Sequence, residues 1–155
     1  MIGFRFREFS QADAEAVAAW RYPGEYSFYD STADANDLAE LLDPVTRGDA
    51  HVAVDDPEGE LVGFFSYKPG DPRTIVIGLG LRPDHTGRGL GREFVEAGLE
   101  YGRARYAPEE FSLAVATFNR RAITVYERAG FVPVRTYMHH TNGADWEFVE
   151  MRRPA

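Results

Sequence analysis

Apolar residues at alternating and helical spacings divide the first half of the chain into short predicted elements. Phe4 and Phe6 alternate with charged residues, which is typical of a strand with one buried face. Ser10 precedes an alanine-rich run and has Asp13 three positions later, the spacing of a capping box at the start of a helix. The predicted elements are a strand at 3–9, a helix at 10–20, a short helix at 35–42 and a hairpin with strands at 51–54 and 61–68.

The second half of the chain contains longer apolar segments. The run RTIVIGLGL at 73–81 is almost wholly apolar, as expected of a strand covered on both faces, but Gly78 and Gly80 interrupt it. Glycine inside a strand is typical of a bulge or of close approach by a ligand or another backbone. The remaining predicted elements are a helix at 89–105, a strand at 111–117, a helix opened by Asn119 and closed by Gly130, and a final hairpin turned at Asn142 and Gly143.

This order of elements predicts one α/β domain over residues 1–155, with a central mixed, mostly antiparallel sheet flanked by helices. A chain of this length buries about two-thirds of its unfolded surface, which is enough for a core. No internal repeat, low-complexity tract or interdomain linker interrupts the pattern.

Composition excludes several classes of site. The sequence has no cysteine, so it can form no disulfide and offers no thiolate as a nucleophile or metal ligand. Its first residues lack the apolar segment of a secretion signal, and no apolar run approaches the ~20 residues that span a membrane. We therefore expect a cytoplasmic protein with no membrane partner and no metal site.

Charge is uneven along the chain, whose formal net charge is −8. Residues 1–60 carry fourteen Asp or Glu against four Arg. An acidic surface disfavours binding to nucleic acid, whereas it attracts cationic small molecules. An ordinary solvated acidic face is the simpler explanation of the charge alone.

The stretch RPDHTGRGLG, Arg82 to Gly91, has glycine at three alternate positions just before the predicted long helix. A strand, such a turn and a helix place free backbone N–H groups and a helix N-terminus around one point, which suits a phosphate group. The glycine spacing fits neither the dinucleotide-binding fingerprint nor the nucleoside-triphosphate loop. The alternative is a glycine-rich turn with no ligand.

Two blocks of the sequence resemble the GNAT family of acyl-CoA-dependent N-acetyltransferases. They are LRPDHTGRGLG and, after the next predicted strand, NRRAITVYERAGF. The family pattern Arg/Gln-x-x-Gly-x-Gly/Ala falls on Thr86 to Gly91, so Thr86 stands where the family usually has Arg or Gln. The resemblance implies acetyl-CoA as the cofactor, with backbone amides holding its pyrophosphate whatever the side chain at position 86. The implied cofactor-binding residues are Arg88, Gly89, Leu90, Gly91 and Arg92 at the pyrophosphate, and Leu79 and Leu81, through their backbone, at the pantetheine arm.

Asn119 and Tyr126 lie seven residues apart on a predicted helix, hence on one side and about 10.5 Å apart along its axis. Both can reach one extended ligand. Asn119 is also a good N-cap, and Tyr126 shares a stripe with Ala122 and Ala129, so both residues have a structural explanation as well. The resemblance implies that Asn119 contacts the cofactor arm and that Tyr126, the candidate catalytic acid, directs its hydroxyl at the sulfur.

The segment RYPGEYSFYD is rich in aromatic residues and is predicted as a loop. It forms either a wall of the substrate site or a lid over the core. Together with the acidic first part of the chain, it favours a cationic amine as the substrate. The candidate substrate residues are Tyr22, Glu25, Tyr26, Tyr29 and Asp30.

Direct attack of an amine on a thioester needs a neutral amine, donors for the oxyanion and a proton for the thiolate. Backbone N–H groups near Gly78 to Gly80 are the candidate oxyanion donors. Many members of the family have a Glu on the strand before the glycine turn, where this chain has no carboxylate. The candidate bases elsewhere are Glu25, Asp30, His139 and His140. An amine of low pKa, such as an α-amino group near 8, would need little help from a base.

We therefore expect an acetyl-CoA-dependent N-acetyltransferase that acts on a peptide N-terminus or a small-molecule amine. An acyl-CoA-binding regulatory module without catalysis and a plain structural domain are the alternatives left open. The identity of the amine, the preferred acyl chain, the general base and the oligomeric state, including a homodimer, are open as well.

Overall fold

The computed structural model describes residues 3–155, so Met1 and Ile2 lie outside it. A seven-stranded sheet forms its centre. The strands are β1 (Arg5–Glu8), β2 (His51–Asp55), β3 (Leu61–Pro69), β4 (Thr74–Leu81), β5 (Glu110–Ala116), β6 (Val132–Thr141) and β7 (Ala144–Pro154). Their order across the sheet is β1-β2-β3-β4-β5-β7-β6, and every neighbouring pair is antiparallel except β4 with β5. The predicted α/β fold with a mixed, mostly antiparallel sheet is confirmed.

Within residues 3–155, five α-helices and three short 3₁₀ helices connect the strands. The α-helices are α1 (Gln11–Ala18), α2 (Ala35–Leu42), α3 (Pro44–Arg47), α4 (Gly91–Tyr106) and α5 (Arg120–Arg128), and the 3₁₀ helices are Gly24–Tyr29, Ser31–Ala33 and Pro83–His85. Among the described residues, no helix is long and apolar enough to cross a membrane.

Local capping signals set the starts of the helices. The predicted capping box opens α1: the Asp13 N–H donates to Ser10 Oγ at 3.1 Å, and the Ser10 N–H donates to the Asp13 carboxylate at 2.8 Å. Helix α4 starts at Gly91, two residues later than predicted, because Gly89 has a φ of +76°, which no residue of a right-handed helix adopts.

The sheet separates two hydrophobic clusters, since neighbouring side chains on a strand point to opposite faces. One cluster lies beneath α4 and α5 and includes Phe65, Phe94 and Leu99. The smaller cluster lies beneath α1 and includes Phe9 and Val17. The glycine turn therefore belongs to the α4 side of the molecule and the aromatic segment follows α1.

Candidate active site

Strands β4 and β5 separate along their length and leave a gap in the middle of the sheet. They pair only from Thr74 with Glu110 to Val76 with Ser112. Beyond that point each strand keeps its other neighbour, β4 with β3 and β5 with β7, so the two sides of the sheet move apart. The gap opens into a cavity of about 930 Å³ that is lined from both faces of the sheet.

The backbone of Leu79 and Leu81 faces this gap. The Arg82 N–H donates to the Val62 carbonyl at 2.7 Å, and because backbone groups alternate in direction along a strand, those of Leu79 and Leu81 point away from β3. The Tyr22 hydroxyl donates to the Leu81 carbonyl at 2.8 Å, from the gap side. Leu79 therefore directs both an N–H and a carbonyl into the gap, as an edge strand does.

Gly78 and Gly80 have a different explanation from the predicted bulge or ligand approach. The pairing of β3 with β4 continues through both glycines without a shift of register. A Cβ on Gly80 would lie 2.4 Å from the Phe64 ring, and one on Gly78 would lie 2.5 Å from Ser66 Oγ. The glycines make room for side chains of β3, so the predicted bulge is wrong, whereas close approach by a ligand stays a prediction, since both glycines line the cavity. The backbone N–H of this stretch that faces the gap is that of Leu79.

The three alternate glycines serve two purposes. Gly87 and Gly89 have φ values of +70° and +76°, in the region that glycine adopts without steric cost. Gly91 has an ordinary φ, but a Cβ there would lie 3.2 Å from Val125, so it lets the start of α4 approach α5 closely.

The turn leaves seven consecutive backbone N–H groups, Gly87 to Glu93, without a hydrogen-bond partner among the described residues. The first amide that has one is Phe94, which donates to the Leu90 carbonyl at 3.0 Å. No side chain caps this end of α4, whose sixteen residues add a positive helix dipole at the same point. Such an arrangement binds anions.

Several side chains of the turn are used locally. Thr86 donates its hydroxyl to the Pro83 carbonyl at 2.7 Å, and Arg88 reaches the Asp84 carbonyl at 3.3 Å. Gly89, Gly91 and Arg92 line the cavity, whereas Arg88 and Leu90 do not. For Arg88 and Leu90, only the backbone N–H groups are left for the predicted cofactor contact.

Helix α5 places Asn119 and Tyr126 on the cavity wall. Asn119 is the N-cap: its Oδ1 accepts from the Ala122 N–H at 3.2 Å. The structural explanation of Asn119 is therefore correct, but its amide nitrogen remains available to a neighbour. Burial raises the pKa of Tyr126, and the nearby Tyr29 adds to the shift. The Tyr126 hydroxyl thus stays protonated at physiological pH and can donate a hydrogen bond.

The aromatic segment forms the opposite wall. Tyr22, Tyr26 and Tyr29 all line the cavity. Burial raises the pKa of Tyr29, while hydrogen bonds from the Asn119 side chain and the Ala116 backbone act in the other direction. The segment is anchored to the β6–β7 turn, where the Asn142 side chain donates to the Phe28 carbonyl at 2.9 Å. It therefore forms part of the cavity wall, and its predicted role as a wall of the substrate site stays a prediction.

The carboxylates and histidines considered as bases lie outside the cavity lining. Glu25 is exposed, and Asp30 accepts the Tyr22 backbone N–H at 2.8 Å. His140 contacts Asp145 at 2.8 Å on the final hairpin, and His139 packs edge-on against a ring of the same hairpin. None of the described residues that line the cavity is Asp, Glu or His.

Many of the cavity residues were missed from the sequence, among them Trp20, Phe64 and Arg121. Trp20 and Phe64 extend the aromatic wall, and Arg121 lies with its guanidinium carbon 4.3 Å from the centroid of the Tyr26 ring. The alternation of β3 beside the glycines of β4 is a signal that could have found Phe64. No local sequence pattern indicates that Trp20 or Arg121 lines the cavity, because each faces the cavity through contacts with distant parts of the chain.

Comparison with known proteins gives sequence relatives among acetyltransferases. The chain is 41% identical over 85 residues to a mycothiol acetyltransferase of Propionibacterium freudenreichii, covering 52% of this chain and 27% of the relative. It is 33% identical over 104 residues to a streptothricin acetyltransferase of Streptomyces lavendulae, covering 66% of this chain and 53% of the relative. The chain thus spans about a quarter to a half of the length of these relatives.

Solved structures share the fold. A spermidine N-acetyltransferase from Vibrio cholerae in complex with CoA and spermine has a TM-score of 0.74 at 20% identity, covering 97% of this chain and 95% of that one. A GNAT-family acetyltransferase from Bacillus anthracis has a TM-score of 0.76 at 18% identity, covering 99% and 98%. The model of the acetyltransferase (GNAT) family matches residues 13–131. The chain belongs to the GNAT acetyltransferase family.

Proposed function

We propose that the chain transfers the acetyl group of acetyl-CoA to a primary amine, at a peptide N-terminus or on a small molecule. The observation that carries this proposal is the run of seven unpartnered N–H groups at 87–93 beside the gap between β4 and β5. The family uses acetyl-CoA. An anion-binding turn next to an open strand edge suits a molecule with a pyrophosphate and an extended arm that contains amides.

The pyrophosphate would accept hydrogen bonds from the backbone amides across Arg88 to Arg92, at the positive end of α4. Arg92, Arg121 and Arg128 line the cavity, and Arg121 Nη1 lies 3.6 Å from the position of a Cβ on Gly87, so positive charge beside the turn favours phosphate groups there. The Thr86 hydroxyl already donates to the Pro83 carbonyl within the turn, so the proposed pyrophosphate site depends on main-chain donors.

The pantetheine arm would lie along β4, where it replaces the missing part of β5 as a hydrogen-bonding neighbour. Leu79 offers the arm its carbonyl, and its N–H remains for the reacting thioester. Leu81 offers only its N–H, because the Tyr22 hydroxyl already donates to the Leu81 carbonyl. Asn119, with its oxygen used as the N-cap, would contact the arm through its amide nitrogen.

Acetyl-CoA supplies an activated thioester when it is bound. We assign to Tyr126 the donation of a hydrogen bond to the departing sulfur and to the Leu79 N–H the stabilisation of the carbonyl oxygen. A CoA thiolate resembles cysteine, with a pKa near 8.5, so it can leave with a hydrogen bond from a phenol whose own pKa is raised. The attacking nitrogen loses one proton to solvent as the amide forms and the C–S bond breaks, and the released thiolate takes up a proton from solvent.

The amine must arrive neutral, since no carboxylate or histidine is among the described residues that line the cavity. An α-amino group with a pKa near 8 is neutral to about a tenth at pH 7, whereas an amine near 10.4 is neutral to less than one part in a thousand. A low amine pKa therefore replaces part of the work of a general base.

Single-turnover release of CoA from acetyl-CoA, followed across a set of amines, tests this function. Calorimetry in the same buffer measures cofactor binding, and a ligand at 100 times its dissociation constant should add about 2.7 kcal/mol to the free energy of unfolding. We expect binding and amine-dependent release. Binding without release for any amine would favour the regulatory module, and absence of binding would overturn the proposal altogether.

A further inference from the structure

We propose that the acceptor is a monoamine with an apolar, preferably aromatic, body, and that the site discriminates against diamines and polyamines. This inference rests on the proposed function, because it describes the acceptor side of the same cavity. The reasons lie in the aromatic wall, in the sign of the charges that line the cavity and in the partners of the nearest carboxylates.

The acceptor side of the cavity lies on the sheet face that α1 covers, the face to which Phe64 belongs. Aromatic rings dominate this side: Trp20 and Phe64 lie with their centroids 6.3 Å apart, next to the tyrosines of the neighbouring segment. Tyr22 is fixed by its hydrogen bond to the Leu81 carbonyl. Rigid aromatic rings bury apolar area at little conformational cost, so they favour an apolar ligand body.

The ionised side chains that line the described cavity are all cationic: Arg92, Arg121 and Arg128. A second ammonium on the acceptor would enter this cavity without a carboxylate to pair with, and a buried unpaired charge is costly. Aromatic faces attract cations, but the Tyr26 ring already carries the Arg121 guanidinium, at 4.3 Å. Among the described lining residues, an additional positive charge therefore meets no anionic partner.

A carboxylate of the sheet beside the cavity, that of Glu150, is occupied. Ala114 lines the cavity, and Glu150 is directly opposite it in the β5–β7 ladder, hence on the same face. Arg152 and Arg135 contact the Glu150 carboxylate at 2.6 and 2.8 Å. Hydrogen bonds from Arg152 and then Arg135 hold the pKa of Glu150 below its usual range, so it stays an anion already paired with two cations.

The carboxylates of the aromatic segment cannot take its place. Asp30 is turned to the Tyr22 backbone, and Glu25 is exposed to solvent, where an ion pair contributes little. A cationic substrate that enters between Glu25 and Asp30, as predicted from the sequence, would therefore meet no carboxylate among the described residues that line the cavity.

Four acceptors test the inference, with kcat/KM expressed per concentration of neutral amine because their basicities differ: 2-phenylethylamine, n-butylamine, putrescine and spermidine. Butylamine and putrescine differ by one ammonium, and phenylethylamine and butylamine differ in the body of the molecule. We expect kcat/KM for phenylethylamine to exceed that for butylamine about fivefold, and butylamine to exceed putrescine at least tenfold. Equal or higher kcat/KM for putrescine or spermidine would overturn the inference and leave the proposed function intact.

Ser31, a half-buried residue of the cavity lining, allows a gain-of-function test. Ser31→Asp adds a carboxylate to the acceptor side of the cavity and should raise the putrescine-to-butylamine ratio of kcat/KM five- to tenfold. Ser27→Asp adds the same charge at an exposed position outside the lining and should leave the ratio unchanged. Equal ratios for the two variants would contradict the proposed role of charge. Calorimetric acetyl-CoA binding by both variants separates this outcome from a loss of the cofactor site.

Discussion

The Arg121 guanidinium stacks on the Tyr26 ring and also reaches the glycine turn. Its carbon lies 4.3 Å from the ring centroid, and its terminal nitrogen Nη1 lies 3.6 Å from the position that a Cβ on Gly87 would occupy. One side chain of α5 thus touches both the acceptor wall and the turn proposed to hold the pyrophosphate. The planar guanidinium can stack with one face and donate hydrogen bonds from its edge at the same time.

We expect Arg121→Gln to weaken acetyl-CoA binding three- to tenfold and to raise the KM of the amine, because it removes a charge near the phosphates and the support of the Tyr26 ring. Calorimetry and steady-state kinetics measure the two effects. Arg120→Gln is the matched control, since Arg120 is exposed on the same helix and lies outside the cavity lining. Identical cofactor affinities for the two variants would show that Arg121 takes no part in binding.

Gly89→Ala should impair the cofactor site through the backbone. Gly89 has a φ of +76° with open space around it, so the added methyl meets no neighbour but strains the turn, at a cost of about 1 kcal/mol. Gly143→Ala is a close match: its φ is +77°, with equally open space, in the β6–β7 turn. We expect similar losses of thermal stability from both variants, but at least fivefold weaker acetyl-CoA binding only from Gly89→Ala.

Tyr126→Phe should lower the single-turnover rate by roughly ten- to a hundredfold, because it removes only the hydroxyl that is proposed to donate to the sulfur. Acetyl-CoA affinity should change little, since the ring remains. Tyr137→Phe, on β6 and outside the cavity lining, provides the comparison. A native rate in Tyr126→Phe would reduce Tyr126 to a packing residue, the structural alternative raised by its helical stripe.

The pH dependence of kcat/KM should follow the pKa of the acceptor amine. With no carboxylate or histidine among the described lining residues, we expect log kcat/KM to rise with a slope near one up to the pKa of the acceptor. An α-amino acid amide, with a pKa near 8, and an alkylamine, near 10, should therefore give inflections about two pH units apart. The same inflection for both amines would reveal an ionising group of the protein as the base.

His51 should make the fold sensitive to mild acid. Burial lowers its pKa from 6.5 to about 4, with smaller contributions from the charges of Lys68 and Arg47, and its Nδ1 has no hydrogen-bond partner among the described residues. The unfolded chain then binds more protons between pH 6.5 and 4, so the free energy of unfolding falls as the pH falls through this window. Allowing for partial exposure of the ring, we expect a loss of about 1–2 kcal/mol.

Urea unfolding at pH 7 and pH 4.5 measures this loss. His51→Gln should lower stability at pH 7 but lose less of it on acidification than the native protein does. His140→Gln removes an exposed histidine and should keep a pH profile close to the native one. If His51→Gln has the native pH profile as well, other groups cause the acid sensitivity.

The sequence by itself determined the order of the strands and of the four longer α-helices, the α/β class and the position of the glycine turn. These features depend on interactions between near neighbours in the chain. The Ser10 capping box, the Asn119 N-cap and the positive φ values of Gly87 and Gly89 each involve only a few successive residues. The apolar spacing of strands and helices is equally local, so periodicity predicts it.

Only the tertiary structure decided which side chains meet in the cavity. Tyr22 reaches the Leu81 carbonyl across 59 residues of sequence, and Asn142 donates to Asp34 across 108. These contacts hold the aromatic segment against β4 and the final hairpin, so the rings of the segment turn inward while its carboxylate at Glu25 stays in solvent. The direction of these side chains depends on such distant partners, which no local spacing records. The sequence therefore left open whether the aromatic segment is a wall or a lid, and it did not indicate that Trp20, Phe64 and Arg121 line the same cavity.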